Sequence, residues 1–332
     1  MGVSLSDIVR PREVEIEFLL DKRIAVDAFN WLYQFLSIIR QKDGEPLMDF
    51  SGRITSHLSG LFYRTTKLLE NNIKPIYVFD GEKPSFKQEE VTKRSEIREE
   101  AKRRWQEALE KGDVEEARKY AQASSHLTSE MIEESKELLK ALGVPVIQAP
   151  SEGEAQCAFM AVKGDVFAVA SQDYDSLLFG APRIVRNLSI SGRRKRGESY
   201  ITINPELVVL KDLLQTLNIT REQLIVLGML IGTDYNPGIK GIGPKKALDI
   251  VKMENIELIL DSYEWNIDNI WEIYNFFLQP PVGNYHIEFG RINKEAVKDI
   301  LCERHDFSEE RVESALKKLE KKPSQRSLSS WA

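Results

Sequence analysis

The first half of the chain alternates between short apolar runs and longer segments in which apolar residues recur at helical spacing. The runs Ile24–Asp27 and Pro75–Gly81 predict buried strands, and each ends at or beside an acidic residue. Apolar residues at helical spacing predict helices over 28–40 and 54–71. Because a strand–helix–strand order favours a parallel sheet, we expect an α/β fold with a mostly parallel central sheet flanked by helices.

The middle of the chain repeats this order after a highly charged segment. Residues 83–125 are rich in Lys, Arg and Glu, which predicts either a solvated helical pair or an exposed helical insertion. A helix is expected over 130–142 and a strand over 144–149. Ser151 is a good N-cap residue, so a short helix should begin there, and residues 165–171 should form the next strand.

Beyond residue 180 the pattern changes to a hairpin followed by helices. Residues 183–203 alternate enough to predict a hairpin with the basic run Arg193–Arg196 at its tip. One helix is expected over 213–231. It precedes a glycine-rich turn, Gly238–Gly243, and Pro244 is well placed to open the next helix.

Composition narrows the class of protein only in part. No apolar run among the 332 residues approaches the roughly 20 that a membrane span needs, and the N-terminus has no apolar signal core. Cys157 and Cys302 are the only cysteines, which argues against a disulfide framework and favours a reducing cytoplasm. The net charge of −6 does not exclude a nucleic-acid partner, because 46 Lys and Arg residues can be segregated from the acids.

Acidic residues recur where the predicted strands end. Single acids close the first two strands, pairs follow the next two, and one more follows the helix predicted over 213–231. The carboxyl ends of parallel strands meet at one edge of an open α/β sheet, so we expect these side chains to lie together. A helix cap would explain any one of them but not their recurrence. The set is Asp27, Asp80, Glu152, Glu154, Asp173, Asp175 and Asp234.

Acids that share one site repel each other and lose hydration unless cations lie between them. The four histidines show neither metal nor triad spacing, so the ligands would be carboxylates, which select Mg²⁺ or Mn²⁺. Seven ligands are too many for one Mg²⁺. We therefore expect two ions, an arrangement that suits in-line displacement at phosphorus.

The sequence GIKGIGPKKA fits a helix–hairpin–helix element. Its glycine turn would present backbone N–H groups near a helix start, and these can hold a nucleic-acid phosphate without reading bases. An ordinary glycine-rich turn is the alternative, but Lys245 and Lys246 favour the DNA interpretation. A carboxylate metal site beside a phosphate-binding turn predicts a nuclease.

The chain resembles flap endonucleases, structure-specific 5′ nucleases related to the xeroderma pigmentosum group G enzymes, and in particular archaeal ones. The resemblance covers nearly the whole chain and implies a PIN-like 5′ nuclease fold, with the charged insertion as a helical arch. The motifs that carry it are MGVSLSDIV, IAVDAFNWLYQF, FYRT, YVFDG, KRSEIREEAKR, APSEGEAQC, ASQDYDSLLFG, GTDYNPGIKGIGPKKAL and QRSLSSW.

This resemblance implies a role for each candidate site residue. Asp27, Asp80, Glu152 and Glu154 would serve one ion, and Asp173, Asp175 and Asp234 the other. Lys87 and Arg94 match the basic pair that stabilises charge at the scissile phosphate. Tyr33 matches an aromatic that stacks on a displaced base, although it could equally be a core residue. The DNA-binding positions would be Gly2, Tyr33, Arg40, Arg64, Glu152, Gly232, Asp234, Gly241, Gly243, Lys245 and Lys246.

The resemblance also divides the chain. It implies an N-terminal nuclease region (1–98), the rest of the arch (99–130), an internal nuclease region (131–258), a C-terminal helical region (259–322) and a sliding-clamp-binding tail (323–332). In the tail, Gln325, Leu328 and Trp331 match the clamp-binding pattern. Ala332 stands where a second aromatic is expected, which lowers the expected clamp affinity because aromatic anchors dominate small interfaces.

The expected function is a Mg²⁺-dependent flap endonuclease, with 5′–3′ exonuclease activity, that acts on branched DNA in Okazaki-fragment maturation and repair. We expect a monomer in an archaeal cytoplasm. A related 5′ exonuclease or junction nuclease is one alternative, and a non-catalytic DNA-structure or clamp-binding scaffold is another. The presence of all seven acids argues against the scaffold, which would not need them.

Overall fold

The structure is a computed structural model of the 332-residue chain. It describes residues 3–41, 44–87, 96–97, 99–101, 103–105, 107–108, 120, 126–190, 192–196 and 199–320.

A mixed, mostly parallel sheet forms the centre of the described chain. Its strands lie in the order β1-β9-β6-β5-β2-β3-β4, and the neighbours from β6 through β4 are all parallel. The last strand, β9, runs antiparallel to β6 and to β1. The strands are β1 Arg12–Glu13, β2 Arg23–Asp27, β3 Lys74–Phe79, β4 Val146–Gln148, β5 Ala168–Ala170, β6 Arg183–Arg186 and β9 Glu206–Val209, while β7 Gly192–Arg196 and β8 Ser199–Ile203 form a separate hairpin.

Helices cover both faces of the sheet. In chain order they are α1 Ala28–Ile38, α2 Ser56–Glu70, α3 Ser129–Ala141, α4 Gly153–Val162, α5 Asp175–Leu178, α6 Leu210–Leu217, α7 Arg221–Ile231, α8 Pro244–Met253, α9 Ile256–Ser262, α10 Ile270–Leu278, α11 Lys294–Lys298 and α12 Glu309–Glu320. Short 3₁₀ turns lie at Ile16–Leu19 and Ser85–Lys87, and a π-helical turn follows α11 at Asp299–Glu303.

Each face of the sheet carries its own hydrophobic core. Side chains alternate along β2, so Ala25 packs with the cluster formed by α4–α10, whereas Ile24 and Val26 pack with α1–α3, α11 and α12. Strands buried on both faces read as continuous apolar runs, which is why the sequence pattern located them. The expected α/β fold with a mostly parallel, helix-flanked sheet is confirmed.

Two local expectations were wrong. The hairpin predicted over 183–203 is smaller: Arg183–Arg186 is a parallel strand of the main sheet, and the basic run Arg193–Arg196 forms a strand rather than a tip. The helix predicted over 213–231 is two helices. Asn218 adopts a left-handed conformation (φ 52°) that ends α6, and a capping box between Thr220 and Gln223 starts α7.

A buried polar cluster, here called the C-terminal polar cluster, links the C-terminal region to the N-terminal half of the chain. It consists of Asp49, His57, Glu134 and His305. The His305 ring places Nδ1 3.1 Å from Asp49 Oδ2 and Nε2 2.9 Å from Glu134 Oε1. Arg53 donates to Asp49 Oδ2 at 2.8 Å. These contacts connect the loop after α1, helix α3 and the turn after Glu303.

The acids of this cluster are well compensated. Burial raises the pKa of Asp49, but hydrogen bonds from Arg53 and His305 outweigh burial and hold that pKa below its ordinary value. Burial also raises the pKa of Glu134, and its contacts with His57 and His305 again lower it below the ordinary value. His57 is fully buried, and its Nε2 lies 3.6 Å from Glu134 Oε2. Burial lowers the pKa of this histidine.

Candidate active site

The carboxyl ends of four adjacent parallel strands bring the predicted acids to one edge of the sheet. Asp27 is the last residue of β2, and Asp80 directly follows β3. Glu152 and Glu154 follow β4, while Asp173 and Asp175 follow β5. Because β5, β2, β3 and β4 are neighbours in that order, these acids form a row. Asp234 joins them from the turn after α7. The seven residues are called the acidic cluster below.

The start of α4 is capped by the residue that follows strand β3. Asp80 Oδ1 accepts a hydrogen bond from the backbone N–H of Gly153 at 2.7 Å. A Cβ at Gly153 would lie 2.8 Å from the same oxygen, so glycine permits this close approach. Glu152, not Ser151, is the N-cap residue, and its side chain makes no cap bond. The expected Ser151 cap was wrong because Asp80 supplies that acceptor.

Asn30 holds two members of the acidic cluster in place. Its backbone N–H donates to Asp27 Oδ1 at 3.1 Å, and its side-chain amide donates to Asp173 Oδ2 at 2.9 Å. The amide oxygen accepts from the backbone N–H of Gln172 at 3.2 Å. Asn30 was not among the predicted site residues. The signal was its position three residues after Asp27, in the first turn of a helix that starts at the edge.

Two further residues that were not among the predicted site residues orient the later acids. The Ser171 hydroxyl donates to Glu154 at 2.8 Å and accepts from the backbone N–H of Asp173 at 3.2 Å. The backbone N–H of Val3 donates to Asp175 Oδ1 at 2.7 Å, across 172 positions of sequence. A backbone contact at this separation leaves no trace in residue pattern.

Burial and mutual repulsion raise the pKa of the buried acids. Burial is the larger cause for Asp27 and Glu154, whose pKa values lie well above the ordinary range. Burial, and then repulsion by Glu152, raises the pKa of Asp80 to about 6. Burial, followed by repulsion from the acid at position 234, raises the pKa of Asp175 to about 7. Such a row of carboxylates is stabilised by positive charge.

Lys87 supplies positive charge to one end of the cluster. Its Nζ donates to Oε1 and Oε2 of Glu152 at 2.8 and 2.7 Å, and the side chains of both residues are buried. Burial lowers the pKa of Lys87, but Glu152 and then Asp80 and Asp234 raise it above its ordinary value. The ammonium therefore stays charged at neutral pH.

The donor set suits a hard divalent cation, since it consists of carboxylate oxygens. In the part of the chain that the structure describes, no three Asp, Glu, His or Cys side chains are yet arranged around a common point as metal ligands. The ion pair with Lys87 engages both carboxylate oxygens of Glu152, which is one of the predicted ligands. A cation bound there would have to share Glu152 with the ammonium.

The glycine-rich turn joins α7 to α8 as a helix–hairpin–helix. Gly238 has a φ of +71°, and a Cβ there would lie 2.3 Å from the carbonyl oxygen of Ile231, so glycine is required. Gly241 (φ +85°) and Gly243 face open space, with nothing within 4 Å of a built Cβ. This exposed backbone at a helix start has the shape that phosphate binding needs.

The remaining predicted DNA-binding residues occupy three kinds of position. Lys245 and Lys246 are exposed on the first turn of α8, and Gly232 (φ +116°) ends α7. Tyr33 and Arg64 are half-buried on α1 and α2, as is Arg40, which donates to the Gly44 carbonyl at 2.9 Å. Tyr33 packs against the core and keeps part of its ring exposed. Gly2, Arg94, Gln325, Leu328 and Trp331 lie outside the described residues.

Comparison with known proteins defines the class. The XPG N-terminal domain family matches residues 1–101, and the XPG I-region family matches residues 143–234. Among solved structures, flap endonuclease-1 from Methanococcus jannaschii superposes with a TM-score of 0.77 at 42% identity, over 96% of this chain and 98% of that one. The catalytic core of Rad2 in complex with DNA substrate gives a TM-score of 0.70 at 26% identity, over 96% and 100%.

Curated relatives narrow the class further. Flap endonuclease 1 of Pyrococcus furiosus is 56% identical over 100% of this chain and 99% of its own length. Flap endonuclease 1 of Aeropyrum pernix is 54% identical over 97% and 95%. The chain belongs to the flap endonuclease 1 family of XPG nucleases. Members of this family hydrolyse phosphodiester bonds in DNA and in general depend on divalent metal ions. No helix in the described ranges is long and apolar enough to cross a bilayer.

Proposed function

We propose that this chain is a two-metal flap endonuclease that cuts 5′ flaps near the junction of single-stranded and double-stranded DNA. The observation that carries the proposal is the acidic cluster at the carboxyl edge of the sheet, with the glycine turn of the helix–hairpin–helix following Asp234 in sequence. Buried acids with raised pKa values need cations, and an exposed backbone turn suits a phosphate.

The acidic cluster would divide between two ions. One ion would be held by Asp27, Asp80, Glu152 and Glu154. The second ion would be held by Asp173, Asp175 and Asp234. Mg²⁺ held by these residues, or Mn²⁺ in its place, would supply an activated water and positive charge for the leaving oxygen. The chain's own part is to fix the donors: Asn30 orients Asp173, and Ser171 orients Glu154.

Basic residues at the start of the charged insertion would stabilise the reacting phosphate. Lys87 already projects to the acidic cluster with a charged ammonium. Arg94 is proposed as its partner in this role. Cationic groups aimed at the place where negative charge develops are a large source of rate enhancement.

Substrate binding would combine backbone and side-chain contacts. The exposed turn at Gly241 and Gly243, with Lys245 and Lys246 beside it, would grip a duplex phosphate. Tyr33 would stack on a base near the cut, and the other contacts would come from Gly2, Arg40, Arg64, Glu152, Gly232 and Asp234.

The flap assay tests the proposal directly. The protein is incubated with 5′-labelled flap, nicked, blunt-ended, four-way-junction and single-stranded DNA, with Mg²⁺ or with EDTA. We expect Mg²⁺-dependent cutting of the flap near the junction, which releases a flap that ends in a 3′-hydroxyl and leaves a 5′-phosphate on the trimmed strand, together with weaker 5′–3′ exonuclease activity. Preference for a nicked or blunt end would favour a 5′ exonuclease, and preference for a four-way junction would favour a junction nuclease. DNA binding without any cutting would favour a scaffold.

The cellular role is proposed on the same basis. As a monomer in an archaeal cytoplasm, the enzyme would serve Okazaki-fragment maturation and repair, with the domain divisions at 98, 130, 258 and 322. Its tail would bind a sliding clamp through Gln325, Leu328 and Trp331. In calorimetry with an archaeal clamp, Trp331→Ala should abolish binding, whereas Ala332→Phe should tighten it. Equal clamp affinity for the parent protein and both variants would show that the tail is not part of the interface.

A further inference from the structure

The ammonium of Lys87 is held by an aromatic ring as well as by a carboxylate. Its Nζ lies 5.3 Å from the centre of the Tyr235 ring, while it donates to both oxygens of Glu152. Lys87 is 9% exposed and Tyr235 is 6% exposed, so solvent competes little with either contact. Cation–π attraction is strongest for such a desolvated ammonium.

Tyr235 is fixed by its surroundings. Its backbone N–H donates to Thr233 Oγ1 at 3.1 Å, at the start of the helix–hairpin–helix turn. Its ring meets Phe276 edge-on at 5.2 Å and Phe277 at 5.3 Å, both from α10. The ring therefore presents its face to Lys87 from a rigid position.

The backbone beside Lys87 is anchored in the same aromatic group. Phe86, the preceding residue, packs edge-on against Tyr235 at 5.6 Å and against Phe276 at 5.3 Å. The 3₁₀ turn Ser85–Lys87 lies where the charged insertion begins. Tyr235 thus contacts both Phe86, at the start of this insertion, and the side chain of Lys87.

We propose that Tyr235 is a positioning residue whose ring sets the Lys87 ammonium over the acidic cluster, and this rests on the proposed nuclease function. Glu152 alone is a poor anchor for that purpose, because it is also a predicted metal ligand. Its negative charge also offsets the positive charge of the ammonium that it holds. The ring is uncharged. It fixes the direction of Lys87 and leaves its full charge for the phosphate.

Three variants separate this role from simple packing. Tyr235→Leu removes the ring face, and Tyr235→Phe keeps it and removes only the hydroxyl. Phe179→Leu is the matched control, because Phe179 packs on Phe276 and Phe277 in the same aromatic group. Single-turnover cleavage and flap-DNA affinity are measured for each, and Tyr235→Leu is also placed in the Lys87→Met background.

The expected result is a fall of about tenfold in the single-turnover rate for Tyr235→Leu, the size of a desolvated cation–π contact, at unchanged DNA affinity. Tyr235→Phe and Phe179→Leu should stay within about twofold of the parent. In the Lys87→Met background, Tyr235→Leu should add nothing. An additive loss there, or equal damage by Tyr235→Phe, would overturn the proposal.

A spectroscopic readout tests the placement without cleavage. The Lys87 ammonium gives a ¹H–¹⁵N signal, assigned by its loss in Lys87→Met, and the ring should shift it. The shift should disappear in Tyr235→Leu and persist in Tyr235→Phe; an unchanged signal in Tyr235→Leu would overturn the inference. If the parent protein cuts no DNA, the nuclease proposal fails, and this signal still decides whether Tyr235 holds Lys87.

Discussion

Two buried groups of charged residues in this molecule have opposite electrostatic character. In the C-terminal polar cluster, each acid meets a histidine or arginine, and the pKa values of Asp49 and Glu134 lie below their ordinary values. In the acidic cluster, the acids mainly meet one another, and the pKa values of Asp27 and Glu154 lie well above. The first arrangement stabilises the fold. The second costs stability, which is characteristic of a site that binds cations.

The largest expected effect is on catalysis, and it concerns the acidic cluster. Asp173→Ala should lower flap cleavage by on the order of 1000-fold, because losing a metal ligand removes several kcal/mol of transition-state stabilisation. DNA binding should largely survive, since Asp173 is not among the proposed DNA-binding residues. Cleavage assays and fluorescence anisotropy measure the two quantities. Asp212→Ala, at an exposed position on α6, is the control. Cleavage retained by Asp173→Ala would show that this carboxylate is not an essential ligand.

The next effect concerns stability. Glu134→Gln should lower the free energy of unfolding by about 3 kcal/mol, because it removes the charged partner of His305 and His57 in a buried site. Urea denaturation measures this change. Glu133→Gln is the matched control: its ion pair with Lys136 is exposed, so about 0.5 kcal/mol or less is expected. Equal values for the two variants would mean that burial does not strengthen this cluster.

Neutralising an acid at the sheet edge should change the free energy of unfolding in the opposite direction. The pKa of Asp80 is about 6, above its ordinary 3.8, so its charge destabilises the fold at pH 8. Asp80→Asn keeps an acceptor for Gly153 and should raise the free energy of unfolding by roughly 1–2 kcal/mol in EDTA. Urea denaturation at pH 8 checks it. A loss of stability would contradict the comparison between the two clusters.

The smallest effect is local and depends on pH. The pKa of His57 is below 6.5 in the fold, so stability falls as pH drops below 6.5 towards that lowered value. The lowered pKa values of Asp49 and Glu134 add a second loss, as pH falls below their ordinary 3.8 and 4.5. Hydrogen exchange over residues 46–57 and 299–306 should therefore accelerate from pH 7 to pH 3, after correction for intrinsic rates. An unchanged protection factor would exclude this linkage.

The sequence predicted the edge of the sheet better than the details of the site. Strands buried on both faces give unbroken apolar runs, so Asp27 and Asp80 could be placed at strand ends from pattern alone. The Ser151 cap was wrong because its competitor, Asp80, comes from the end of another strand, β3. The break at Asn218 was visible only as a residue that tolerates left-handed backbone.

Contacts between distant parts of the chain were beyond sequence pattern. Nothing in the residues around Val3 indicates that its N–H reaches Asp175, because a backbone donor is present at almost every position. The placement of Lys87 between Glu152 and Tyr235 depends on the meeting of three separate segments. Pattern identified which residue types could act, and tertiary packing decided what each one touches.

The C-terminal polar cluster also affects the order in which the chain can fold. His305 meets Asp49 across 256 positions of sequence, so this contact forms only after nearly the whole chain has left the ribosome. The strands that carry the acidic cluster, and the turn with Asp234, are synthesised earlier. During synthesis, the row of acids can therefore come together before the C-terminal polar cluster exists. Divalent ions in the cell could act on the nascent chain as folding ligands before they serve catalysis.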